Sequence, residues 1–108
     1  MRQYLSLIKS KAGVLQISVN RLSSEYETAK NILIKTLEEI RFISPVNNGV
    51  GDELELNIIR SLNTISELLN NTLSASIPGV VVTPFNPMVE REVIELQSLV
   101  SQRKLIRN

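Results

Sequence analysis

The stretch LSLIKSKAGVLQISVNRLSSEYETAKNILIKTLEEIRFI, residues 5 to 43, sets Leu5, Ile8, Ala12, Leu15, Val19, Leu22, Tyr26, Ala29, Leu33, Thr36, Ile40 and Ile43 at alternating steps of three and four. Only Thr36 among them is polar. A mean step of about 3.5 residues draws one stripe along a helix and implies a left-handed supercoil with whatever packs against it. The pattern speaks of helix packing and assembly rather than of chemistry.

The first helix is expected over residues 2 to 43, about 63 Å long at ~1.5 Å per residue. Ser44-Pro45 ends it, because a residue before proline is pushed out of the α region. Ser24 and Glu27 have the spacing of a capping box that would start a new helix. The stripe nevertheless crosses Leu22, Tyr26 and Ala29 without a slip, which favours one continuous helix. Asn47-Asn48-Gly49-Val50-Gly51 is turn chemistry. Asp52 then reads as an N-cap, with Glu55 three residues on. A second helix is expected over residues 52 to 76, with Leu54, Ile58, Leu62, Ile65, Leu69 and Leu73 on one face. Two helices joined by a short polar turn form an antiparallel hairpin.

Residues 78 to 86 hold Val80-Val81-Val82 and Phe85 between prolines, and an apolar connection of this kind should lie across the bundle as an extended strap. Asn86-Pro87 starts a third helix over residues 87 to 106. It turns Val89, Val93, Leu96 and Val100 inward. Glu90 and Glu92 near its start, and Arg103, Lys104 and Arg107 near its end, match the helix dipole. The expected fold is all-α: a single helical domain over residues 1–108, built as a coiled-coil-like three-helix bundle.

The helix lengths do not match. A second helix of about 37 Å covers only the later half of a 63 Å partner, ~Leu22 to Ile43. The early part, Leu5, Ile8, Ala12, Leu15 and Val19, is left for the third helix, which a ten-residue strap reaching ~33 Å could deliver, or for another subunit.

The chain has 108 residues, 43% of them hydrophobic, 4% aromatic and 21% charged, with a net charge of +1. That is the composition of a chain that folds as one modest domain around Leu, Ile and Val. With no Cys and no His, disulfides, thiolate metal sites, a Cys nucleophile and the commonest general base are all excluded. No phosphate-binding glycine loop is present, and Asp52, Glu53 and Glu55 lack the spacing of a calcium loop. We assign no catalytic, cofactor-binding or metal-binding residues and expect no cofactor, no small-molecule substrate and no enzyme activity. The longest apolar runs, Ile32–Ile34 and Val80–Val82, are too short to span a membrane, and no signal-peptide pattern opens the chain, so a cytoplasmic location is the default expectation.

The charge is segregated. Residues 1 to 24 carry Arg2, Lys9, Lys11 and Arg21 with no acid, whereas residues 25 to 57 are net acidic. Two readings follow. In the first, the chain is a structural or interaction protein that pairs with itself, as a homodimer, or with another helical protein through Leu5, Ile8, Ala12, Leu15 and Val19. In the second, Arg2, Lys9, Lys11 and Arg21 contact a polyanion such as nucleic acid, or an anionic membrane surface. Leu7, Val14 and Ile17 broaden the apolar arc as in a core-facing helix, which argues for core over membrane contact. The layout of long first helix, hairpin partner, loop and short acid-headed last helix resembles ESCRT-type membrane-remodelling filament proteins and small viral assembly proteins; the resemblance implies a filament-forming or assembly role.

Overall fold

The computed structural model describes residues 4–22, 26–44, 51–74 and 87–106. These residues form helices α1 (Tyr4–Val19), α2 (Glu27–Arg41), α3 (Asp52–Ser74) and α4 (Pro87–Lys104), with no strand among them. The chain is all-α, and its helices pack as a bundle. The apolar strap, Asn86, Arg2 and Arg107 lie outside the described residues.

In place of the expected first helix over residues 2 to 43 there are two helices, so the described residues form four helices rather than three. The α-helical ladder of α1 stops at Asn20, whose N–H still reaches the Gln16 carbonyl. The next two N–H groups, of Arg21 and Leu22, turn to the carbonyls of Ser18 and Val19, three residues back. This tightening ends a helix. The local sequence permits it, because Ser18, Asn20 and Ser23 follow one another closely and such side chains compete for backbone hydrogen bonds. α2 begins at Glu27 with Tyr26 at its cap and no side-chain cap hydrogen bond; Ser24 of the capping-box pattern lies outside the described residues. At its other end the N–H groups of Phe42 and Ile43 bond to Glu39 and Ile40, again three residues back.

Packing runs around a closed ring: α1 against α2, α2 against α4, α4 against α3, and α3 against α1. α2 and α3 follow one another along the chain yet make little or no direct contact, which replaces the expected hairpin of second helix on later seam. α3 instead covers the early stripe on α1, and α4 covers α2. Arg103 near the end of α4 pairs with Glu55 near the start of α3, so these two run antiparallel. Lys104 approaches Glu39 near the end of α2, so α2 and α4 run in the same direction.

The stripe is the core. Ile8, Ala12, Leu15, Val19, Leu22, Tyr26, Ala29, Leu33, Thr36, Ile40 and Ile43 are all buried, and Leu5 is half-buried. Opposite them lie Ile58, Leu62, Ile65 and Leu69 of α3 and Val89, Val93, Leu96 and Val100 of α4, in one continuous cluster. Each large aliphatic side chain taken from water contributes about 1.5–3 kcal/mol, so the stripe dominates the stability of the fold. The buried Thr36 hydroxyl is satisfied within its own helix, donating to the Ile32 carbonyl at 2.8 Å.

Residues on opposite sides of α1 should therefore respond differently. Leu15→Asp puts a charge into the closed core and is expected to cost more than about 4 kcal/mol, enough to unfold a marginally stable domain. Ile17→Asp, on the exposed side, is expected to shift stability by no more than about 0.5 kcal/mol. Urea denaturation followed by circular dichroism checks this, and equal effects at the two positions would refute the assignment of faces.

Candidate functional site

Two features of the bundle lie outside its plain apolar core. One is a buried ion pair at the end where α2 stops and α3 starts. The other is the outer surface of α1.

The ion pair follows from the same heptad pattern as the core. On α4 the inward steps Val89, Val93, Leu96 and Val100 continue to Arg103; on α3 the steps Leu69, Ile65, Leu62 and Ile58 continue back to Glu55. Both charges are thus delivered to core positions of antiparallel neighbours. Arg103 is 1% exposed and its Nε–H donates to Glu55 Oε2 at 2.9 Å. A second guanidinium nitrogen donates to the Ser44 carbonyl at 2.9 Å. One side chain thereby ties together the end of α4, the start of α3 and the residue where the chain leaves α2.

Gly51 makes room for it. The first helical bond of α3 runs from the Glu55 N–H to the Gly51 carbonyl, which puts Gly51 at the N-cap position and Asp52 inside the helix. A Cβ on Gly51 would sit 2.9 Å from Arg103 Nε and 3.0 Å from Glu55 Oε2. The constraint on Gly51 is this close approach. Arg103 and Glu55 were read from sequence as dipole and capping residues; their common cause is the pairing, and the signal lay in extending each heptad by one step. By contrast, the Lys104–Glu39 approach of 3.7 Å is partly solvated and contributes about 0–1 kcal/mol.

The interaction residues expected from the sequence lie in the core. Ile8, Ala12, Leu15 and Val19 are buried inside the chain's own bundle, with Leu5 at its edge. The residues read as a broadened core arc are the ones that face out: Leu7 is 44%, Val14 63% and Ile17 67% exposed. At ~100° per residue, Ile17 lies opposite the buried stripe, and Leu7 and Val14 lie to one side of it. Ser10 sits between them, with Ser6 and Gly13 on the other side of Ile17, all exposed. The sequence candidates for polyanion contact fall at the margins: Lys9 and Lys11 are half-buried on the two borders of this arc, and Arg21 is exposed just past the helix end. α1 carries no acidic residue. It is therefore apolar on both sides, buried on one and open on the other, with only positive charge at the edges. Further exposed apolar side chains, Phe42 and Leu105, follow the ends of α2 and α4.

No family model, no curated protein and no solved structure matches the chain. No helix among the described residues is long and apolar enough to cross a membrane.

The ion pair can be tested by a double-mutant cycle. Glu55→Leu alone leaves a buried guanidinium uncompensated and is expected to cost ~3–5 kcal/mol, whereas Glu55→Leu with Arg103→Met recovers most of that loss. Gly51→Ala is expected to cost about 1–3 kcal/mol by displacing the pair. Additive losses in the cycle, measured by chemical denaturation, would show that the two charges do not act together.

Proposed function

We propose that this chain is a non-enzymatic interaction protein, a preformed helical bundle that engages a negatively charged partner through the outward face of α1. The observation that carries the reading is the exposure of Leu7, Val14 and Ile17 on a helix whose only charged residues are lysines. An apolar face held open in this way costs solvation, and patches of this kind mark interaction surfaces. The coiled-coil heptad of residues 5 to 43 is, in this reading, intramolecular packing. It builds the scaffold and leaves the opposite side of the same helix for the partner.

Self-association through this face is the alternative. A symmetric contact of two α1 faces would set Lys9 and Lys11 of each copy near those of the other, with no acid on either helix to offset them. That favours an acidic partner over an identical one.

Retention on immobilised heparin tests the charge requirement. The wild type is expected to bind at ~20 mM salt and elute by ~150 mM, as an exposed cationic edge does when screened. A Lys9→Gln/Lys11→Gln/Arg21→Gln variant is expected to pass through unretained with unchanged helicity. Failure of the wild type to bind at the lower salt would overturn the reading.

A further inference from the structure

We propose that the partner of the outward face of α1 is the surface of an anionic lipid bilayer. Leu7, Val14 and Ile17 enter the boundary between headgroups and acyl chains, while Lys9, Lys11 and Arg21 meet the headgroup phosphates. The inference rests on the reading of this face as the docking surface and names what covers it.

The arrangement on α1 supports a bilayer over a protein groove or a nucleic acid. The apolar side chains line the exposed arc from Ile17 round to Val14 and Leu7, Lys11 borders that side, and Lys9 borders the other side beyond Ser6 and Gly13. That is the order in which a helix lying in an interface meets hydrocarbon and then phosphate. Lys9 and Lys11 are half-buried, as long basic side chains are when the stem packs on apolar surface and the ammonium group stays in water. A nucleic-acid surface would need the reverse, with cations across the middle of the contact and apolar groups kept away from phosphate.

A protein partner would draw its energy from a few large anchors seated in pockets. This face offers three aliphatic side chains interrupted by Ser10, a surface that a fluid bilayer can meet without matching its shape. The flank of the face is compatible too. The shallow groove where Leu7, Lys11 and Val14 meet α3 is completed by Leu62, Asn63 and Ser66, with no acidic side chain to repel an anionic surface. Because the described helices are too short or too polar to span, the contact is peripheral. It leaves the core closed, since the stripe that holds the bundle faces the other way.

Co-sedimentation of the full chain with vesicles tests this. The vesicles are phosphatidylcholine alone, or phosphatidylcholine with about a third phosphatidylserine, at ~20 mM and ~150 mM salt. Binding is expected on the anionic vesicles, weaker at the higher salt, and absent on the neutral ones. Lys9→Gln/Lys11→Gln/Arg21→Gln is expected to lower partitioning on the order of 100-fold, from the attraction each basic side chain contributes near an anionic surface. Ile17→Asp is expected to abolish binding while leaving the circular dichroism unchanged. Wild-type protein that ignores anionic vesicles at low salt overturns the proposal. So does an Ile17→Asp variant that binds as well as wild type, because the contact is then charge alone, as for a nucleic acid. Retention on heparin without vesicle binding would leave the docking face standing and remove the lipid; loss of both would remove the docking face as well. A wild type that dimerises by sedimentation velocity, with Ile17→Asp monomeric, would instead assign the face to a second copy.

Discussion

The structure depends on burying an apolar stripe longer than any helix the chain can lay against it. Between Leu5 and Ile43 the sequence spaces its apolar side chains for one face of one helix, and exposing half of that face would forfeit about 1.5–3 kcal/mol for each large residue. A continuous helix leaves the early half bare. Interrupting it after Val19 brings both halves against the chain's own partners, α3 on the early half and α4 on the later one. The cost is the lost helical ladder around Asn20 to Leu22, which tightened three-residue bonds partly recover.

The ring order follows from that division. α1 and α2 each need a separate cover, so α3 lies beside α1, and α4 returns between α3 and α2. Arg103 closes the arrangement at one end. Its bonds to Glu55 and to the Ser44 carbonyl hold α3's first turn and the exit from α2 to the last turn of α4. A buried ion pair adds little net stability, yet it penalises any packing that separates its charges.

Which residues are buried was legible in the sequence to a large degree. The described positions of the residue 5–43 stripe are buried, Leu5 excepted, as are Ile58, Leu62, Ile65 and Leu69 on α3 and the four valine and leucine positions on α4. The break was half legible: the Ser24 and Glu27 spacing offered a new start and α2 does begin at Glu27, but the stripe keeps its phase through Leu22 and Tyr26, and phase says nothing of whether the axis turns. The ring order was hidden for a related reason: neighbours in sequence need not be neighbours in space, and all four helices have similar aliphatic faces. The outward side of α1 was misread because Leu7, Val14 and Ile17 look like a wide core when only composition and period are available. Their exposure depends on how many neighbours α1 has, and periodicity does not record that number.

The packing of α1 against α2, in place of one continuous helix, can be read from a single distance. The chain has no cysteine, so single labels can be placed by Ser10→Cys and Lys35→Cys, both exposed positions on α1 and α2. On neighbouring helices of a bundle the labelled backbone sites lie within about 25 Å, whereas along one continuous helix they would be about 38 Å apart. A double electron–electron resonance distance distribution centred in the shorter range is what the bundle predicts. A single narrow peak near the longer value would contradict it and restore the uninterrupted helix.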